Sequence, residues 1–446
     1  MNSIERLFCP YCGFQLKIQK VLSEGIDANA IVKCECYRYP IIEGILILKK
    51  GSTVKNAVRL MERNELSKAL INLIEVGPQG GDVIDHISLS LDQASHEMLG
   101  ITTPFHRLWL IYKKMTSRPL LEKTTKLTFF AAIDSLKWKS WGNYLKFRFS
   151  SPDFVAALPL IHLIKQTHST ILDIGCGAGH SSFIIAKHIP EERIICADKT
   201  FINLYLAKKF FVKNASFICL DANNPLPFTN ESFSSIFCLD AFHYVISKRL
   251  LAKEFKRTLK PDGILLLPHL HNSLTNIRRG MAVEALTPKR YVDLFDNLEV
   301  RLIPEDKVIE NFLANDKIDL KEKTSEQELK NSHAIVLVAS DNQRFFRVYQ
   351  NIDIFPKETM KNLIINPIYK VREKRNYLHL TMRAFPRKLG ETTDILLMKK
   401  YMPDTCVVEK NLITCIRNNR ITSKEFKKIH DLMKKFILLC IPENYM

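Results

Sequence analysis

Between residues 155 and 300, short runs of consecutive apolar residues alternate with stretches whose apolar positions recur at helical spacing. "STILDIG", "RIICAD", "ASFICLDA", "SSIFCLDAFHYV" and "ILLLP" are the apolar runs; "HSSFIIAKHI" and "KRLLAKEFKRTLKPDG" are amphipathic. That alternation predicts parallel strands joined by helices, hence a sheet covered on both faces. Residues 52–150 read as helices, for example "VKNAVRLMERNELSKALINLIEV", interrupted at 77–82 by "GPQGGD". Residues 1–50 end in the strand-like "YPIIEGILIL", and residues 340–446 mix short strands with basic helices. Neither an internal repeat nor a low-complexity tract is present, so disorder is expected only in loops.

A chain of 446 residues with 46% hydrophobic residues can build two or three domains with real cores. The net charge of +18 suits nucleic acid, an acidic substrate or an anionic membrane surface, and equally a lysine-rich solvated surface. Residues 1–30 carry charged and polar residues where the apolar core of a secretion signal would lie. No run approaches the roughly 20 apolar residues of a membrane span. The expectation is a soluble, cytoplasmic protein without integral membrane association, whose 11 cysteines are reduced.

Glycine is scarce, 15 in the chain, yet Gly175, Gly177 and Gly179 fall together in "ILDIGCGAGH". A strand–turn–helix reading puts them at the turn, where glycine lets the backbone bend sharply and a ligand rest on bare peptide groups. The following helix aims its N–H groups and positive dipole end at that ligand. Nucleotide, flavin and nicotinamide sites all use such a turn. Two acids narrow the choice. Asp198 ends the second strand, placed to accept the hydroxyls of a ribose. Asp221 ends the third, where it can take a hydrogen bond from a purine's exocyclic amine while the Ala222 N–H meets a ring nitrogen.

"LDIGCGAG", the acid in "CAD", "LDANNPLPFTNESFSSIF" and "LKPDGILLL" together resemble the class I S-adenosylmethionine-dependent methyltransferases, most closely the ubiquinone/menaquinone-biosynthesis branch, over about residues 140–300. The resemblance implies an α/β, Rossmann-like sheet with helices on both faces and S-adenosylmethionine as cofactor. It implies that Asp173 with Gly175, Cys176, Gly177 and Gly179 hold the methionyl end, that Asp198 and the adjoining Lys199 meet the ribose, and that Asp221 and Ala222 read the adenine. Related enzymes often carry a tyrosine and an arginine before the first strand that cover the cofactor's carboxylate; here these are Tyr144 and Arg148, four apart as on one helix face. Their alternative is a basic surface helix. The GxGxG spacing favours this cofactor over a nicotinamide.

Methyl transfer from a sulfonium needs alignment and exclusion of water, and a base only for a poorly nucleophilic acceptor. Candidates stand where ligands sit in open α/β sheets, at the carboxyl ends of strands four and five. They are Asp240, placed with the cofactor, and His243, Tyr244, His269 and His271 as catalytic candidates. His243 also reads as a ring packed beside the cofactor. His269 and His271 alternate to one face if strand-like; as a metal pair they lack an obvious third ligand.

Cys9-x2-Cys12 and Cys34-x-Cys36 are two close cysteine pairs, the pattern of a tetrahedral zinc site, and Pro10 and Gly13 suit a tight turn at the first. "CPYC" followed by "YPIIEGILIL" resembles the Trm112-like zinc ribbon, which implies a structural Zn2+ on Cys9, Cys12, Cys34 and Cys36. The family usually has two residues, not one, inside the second pair. The other seven cysteines, Cys176, Cys196, Cys219 and Cys238 among them, read as buried small hydrophobes.

The organisation that follows is a zinc ribbon over 1–50, a helical linker or lid over 51–139, a methyltransferase core over 140–300 and a basic α+β extension over 301–446. "HAIVLVAS" is a candidate late strand of the sheet. Residues 357–446 hold 19 Lys and Arg against 9 Asp and Glu. "NPIYKVREKRNYLHLTMRAFP" interleaves aromatic and basic residues as a nucleic-acid surface would, and "SKEFKKIHDLMKKFILLCIPENY" is an amphipathic helix that packs on the core or lies on an anionic membrane. The leading expectation is a methyltransferase for a small-molecule or lipid-like acceptor. An RNA methyltransferase is the second, although strand four is followed by "LDAF" and not by an NPPY-type tetrapeptide. A non-catalytic partner protein is the third.

Overall fold

The computed structural model describes residues 4–74, 104–121, 127–137, 142, 144–145, 147–167, 169–275, 285–354, 363–383, 393–418 and 420–446. The "GPQGGD" break and much of the expected lid lie outside them. The strands that matter for the site run, in chain order, β1 (Lys17–Ser23), β2 (Asn29–Lys33), β3 (Arg38–Ile42), β4 (Ile45–Leu48), β5 (Ile171–Ile174), β6 (Ile194–Asp198), β7 (Ser216–Leu220), β8 (Phe233–Phe237), β9 (Leu259–His271), β10 (Glu299–Pro304), β11 (Ile318–Asp319) and β12 (Ala334–Ser340). All but β11 belong to a single 11-stranded sheet, ordered β1-β2-β3-β4-β7-β6-β5-β8-β9-β12-β10. The fold class is α/β with a Rossmann-like centre.

β4, β7, β6, β5, β8 and β9 pair in parallel, so both faces must be covered. Every residue of β4, β5 and β8 is accordingly buried. Alternate side chains enter the two cores: Ile45 and Ile47 face one, Leu46 and Leu48 the other. Helices Pro152–Ile164, His180–Ile185, Phe201–Phe210 and Glu305–Asn315 cover the first face; Lys248–Thr258 and Pro288–Asp293 cover the second.

Three local differences from the sequence reading, and one strand that it expected, bear on the site. "YPIIEGILIL" is a hairpin, not one strand. Glu43 and Gly44 both have positive φ (50° and 72°), as a two-residue primed turn requires. The fourth strand ends at Phe237, and "LDAFHYV" leaves the sheet as a loop with a 3-10 turn at Phe242–Tyr244. His269 and His271 do not follow a regular alternation. His269 has φ 61°, and the pairing of β9 with β12 slips between Ile335 and Leu337 opposite it. Finally, the sheet continues beyond residue 300, because "HAIVLVAS" forms β12, inserted antiparallel between β9 and β10.

The carboxyl-terminal segment is tied into the core. Tyr445 is fully buried, stacked on Phe129 with ring centroids 5.1 Å apart. Its hydroxyl donates to the Leu145 carbonyl (2.9 Å) and lies 3.2 Å from His180 Nε2, the first residue after the glycine turn. The amphipathic helix Ser423–Lys434 buries Ile429 and Met433, so its apolar face packs inward.

Tyr445→Ala is expected to lower unfolding stability by about 3–5 kcal/mol, since a large buried ring is lost. Tyr445→Phe, which removes only the hydroxyl, should cost about 1 kcal/mol. Urea unfolding of the three proteins measures both.

Candidate active site

The carboxyl ends of β5 to β9 gather the predicted residues along one edge of the sheet. Gly175, Gly177 and Gly179 all take positive φ (73°, 54° and 93°), which side chains resist. Gly175 has no room for a Cβ either: one would collide with the Cβ of Ala241. That contact sets the "LDAF" loop directly on the glycine turn and fixes Asp240 beside it.

Asp173 is fully buried under the turn. The hydroxyls of Ser181 and Ser182 donate to its Oδ2 (2.9 and 2.6 Å), while its buried Oδ1 has no hydrogen-bond partner. Burial pushes its carboxyl up to about 6, against the pull of the two serines. Asp198 accepts the Gly177 N–H (2.9 Å) on one oxygen and the Thr200 N–H (2.8 Å) on the other. It therefore ties the end of β6 to the glycine turn. Burial raises its carboxyl nonetheless. At Asp221 the balance is reversed: burial pulls upward, but the Asn223 backbone and side-chain N–H groups (3.0 and 2.8 Å) and Lys199 (3.3 Å) hold the carboxyl below its usual range. Ala222 follows it, half-buried. Cys176 is buried, and burial pushes its thiol well up, which suits a packing role.

At the ends of β8 and β9, Asp240 is the meeting point. The Tyr144 hydroxyl donates to its Oδ2 at 2.9 Å, and Arg148 lies 3.5 Å from the same oxygen. Arg148 is itself buried and also pairs with Asp153. Tyr144 and Arg148 thus converge on protein carboxylates, Asp240 and Asp153. The other oxygen, Oδ1, is 3.6 Å from Nε2 of both His243 and His269. Burial raises the Asp240 carboxyl less than His269, Arg148 and His243 lower it, leaving it below the usual range. His243 is fully buried, neutral, and pushed down to about 2 by that burial. The rings of His243 and His271 are 4.1 Å apart, those of His269 and His271 5.0 Å. Tyr244 is 54% exposed at the mouth. Glu305, Asp153, Ser181 and Ser182 were not anticipated. The serines directly follow the glycine turn and were in principle findable. Glu305 contacts His269 across 36 residues of sequence, with no signal to mark it.

The four amino-terminal thiols also converge: the sulfurs of Cys9, Cys12, Cys34 and Cys36 all lie within 4.8 Å of one another. Cys9 Sγ is 3.8 Å from Cys36 Sγ, and Cys34 Sγ is 3.5 Å from Cys36 Sγ. A tetrahedron with zinc–sulfur bonds near 2.3 Å has edges of about 3.8 Å. The single residue between Cys34 and Cys36 therefore does not prevent the geometry. Gly13 at φ 72° and the Tyr11 N–H on Cys9 Sγ (3.4 Å) complete the first knuckle.

Residues 172–267 match the family model described as a methyltransferase domain. YcgJ of Bacillus subtilis (strain 168), an uncharacterized methyltransferase, is 34% identical over 99 residues, 22% of this chain and 39% of that protein. Its crystal structure aligns with a TM-score of 0.30 at 22% identity, covering 41% of this chain and 97% of that one. Demethylmenaquinone methyltransferase of Thermotoga maritima is 30% identical over 112 residues, covering 25% of this chain and 48% of that protein. The tRNA U34 carboxymethyltransferase of Nautilia profundicola is 24% identical over 175 residues, covering 39% and 52%. The chain thus spans about half the length, or less, of these curated relatives. Among the described residues no helix is long and apolar enough to cross a membrane.

Gly175→Ala is expected to destabilise the fold by about 1–3 kcal/mol, through overpacking against Ala241 added to a disfavoured φ. Gly177→Ala, with open space around the added Cβ, should cost less. Chemical denaturation of the pair measures the difference.

Proposed function

We propose that this protein transfers a methyl group from S-adenosylmethionine to a small-molecule or lipid-like acceptor, at the carboxyl ends of β5 to β9. The observation that carries this reading is the buried, unpartnered Oδ1 of Asp173 beneath the left-handed glycine turn, in line with Asp198 and Asp221 on the next two strands. A buried carboxylate oxygen without a partner is costly unless a ligand supplies one, and an amino acid's ammonium group does so.

When bound, S-adenosylmethionine supplies a methyl already activated on its sulfonium. Asp173 and the turn from Gly175 to Gly179 hold the ammonium end, Asp198 with Lys199 the ribose, and Asp221 with Ala222 the adenine. Asp240, pressed against the turn through Ala241, separates the cofactor site from the three histidines. His243, Tyr244, His269 and His271 then stand on the acceptor side, with Glu305 orienting His269. The ribbon thiols hold a structural Zn2+, and the ribbon serves the core through β4.

The relatives' names span a quinone precursor and a tRNA, so the acceptor class rests on this chain's own surface. RNA as acceptor is the second reading. It is favoured by the sheet Tyr369–Glu373, Tyr377–Met382 and Thr405–Glu409, where Tyr377 is exposed beside Lys370, Arg372, Lys374 and Arg375.

Calorimetric titration with S-adenosylmethionine tests the core claim. Binding is expected, and Asp198→Ala should weaken it about 10- to 100-fold, the worth of a charged hydrogen-bond pair. Absence of binding in the parent protein would leave a non-catalytic partner role as the better reading. The pH dependence follows from Asp173. An ammonium on Oδ1 favours the ionised carboxylate, so its pKa falls on binding from about 6. Affinity should be full above that pH and fall by up to about tenfold per unit below it. Asp173→Asn should flatten this profile. Methyl transfer from labelled cofactor to metabolite pools and to tRNA, compared side by side, separates the two acceptor classes.

A further inference from the structure

Asp240, His269 and His271 place their ligand atoms within 4.8 Å of one another where β8 and β9 end. The two oxygens of Asp240 have different surroundings. Oδ2 is engaged by Tyr144 and Arg148, whereas Oδ1 faces the histidines. Behind His269, Glu305 Oε2 lies 2.6 Å from Nδ1, and both groups are buried. The Nδ1–H donates to this carboxylate, so a neutral His269 presents the lone pair of Nε2 to Asp240 Oδ1. In that neutral form two acceptors face each other across 3.6 Å, an arrangement that a cation between them, whether proton or metal ion, satisfies.

Two independent features point the same way. The fully buried ring of His243 has no hydrogen-bond partner on either nitrogen, and its Nε2 is aimed at the same Oδ1. Asp240 and His269 both hold left-handed backbone conformations, φ 54° and 61°, which side-chain-bearing residues adopt at a cost and which gather at functional sites. Two cations stand nearby: Arg148 is shared between Asp153 and Asp240 Oδ2, and the Lys248 ammonium is turned onto the carbonyls of His243 and Val245.

We propose that Asp240, His269 and His271 bind a divalent first-row transition-metal ion, with Glu305 orienting His269 from behind. Two imidazoles and one carboxylate are a donor set for zinc, iron, cobalt or manganese that leaves coordination positions open. A carboxylate on the far nitrogen of a ligating histidine is the usual outer support of such sites. Asp240 and His271 are only half-buried, so the cluster is reachable from solvent. The use of the ion, to hold an oxygen of the acceptor beside the cofactor, rests on the methyl-transfer reading; its binding does not.

The test uses the full chain with its thiol site first filled with zinc, then titrated with Co2+. The expected result is one equivalent of Co2+ with visible d–d absorption and no sulfur-to-metal charge-transfer band. His271→Gln and Asp240→Asn should abolish that uptake, and Glu305→Gln should weaken it about 10- to 100-fold. Circular dichroism and unchanged zinc content confirm that each variant is folded. No Co2+ uptake, or uptake unaltered in His271→Gln, overturns the proposal. So does an NMR signature of a His269 imidazolium bridging Glu305 and Asp240 in place of uptake. S-adenosylmethionine is titrated into the same preparations. Cofactor binding without Co2+ uptake defeats the metal site alone, and Co2+ uptake without cofactor binding defeats the methyl-transfer reading alone.

Discussion

The main-chain pairing of β4 along β7 joins the amino-terminal strands to the parallel sheet. A parallel sheet that stopped at β7 would leave a row of N–H and C=O groups at its edge, and its buried faces would be open to water there. β4 closes that edge, with Ile45 to Leu48 in register against Phe217 to Leu220. The hairpin turn at Glu43 and Gly44 brings β4 back antiparallel to β3, so the cysteine-bearing amino-terminal strands become the outer end of the sheet. Further bonds follow from this docking: Lys49 reaches the carbonyl of Lys199, next to Asp198, and Lys208 reaches that of Ile26. Ordering the thiols around a metal would stiffen the edge strands next to the nucleotide end of the proposed cofactor site.

At the sheet's centre the dominant constraint is steric. The loop after β8 lies so close against the turn after β5 that no side chain fits at Gly175, and Asp240 stands between the glycines and the histidines. The charges around it are arranged so that none is buried alone: Arg148 with Asp153, His269 with Glu305, and Asp240 bonded by Tyr144. Buried ion pairs contribute little to stability by themselves, and losing one partner is expensive. Such a cluster makes better sense as a site than as a stabilising device.

The carboxyl-terminal residues complete the opposite side. Tyr445 stacks on Phe129 and reaches Leu145 and the vicinity of His180, while the Phe129 N–H bonds the Asn444 carbonyl. The chain's last residues and the helical segment before β5 thereby support the helix that begins at the glycine turn. The strands beyond residue 300 that enter the sheet, β10 and β12, likewise carry Glu305 to His269 through the turn from Pro304 into the next helix.

What the sequence determined is local. Alternating apolar runs and helical periods specify β5 to β9, since a strand buried on both faces must be apolar throughout. The glycines and the acids at strand ends mark the edge proposed for the cofactor, because the backbone geometry they permit is legible within a few residues. The cysteine pairs were equally legible, each knuckle being a short-range turn. What only the tertiary structure decided depends on long-range register: Glu305 behind His269, Asp240 as the third group beside the histidines, the β-bulge that turns His269, and the docking of β4 on β7. No periodicity encodes a contact between residues 36 or about 170 positions apart. Those contacts arise because a twisted sheet brings the ends of its strands to one edge, whatever their separation along the chain.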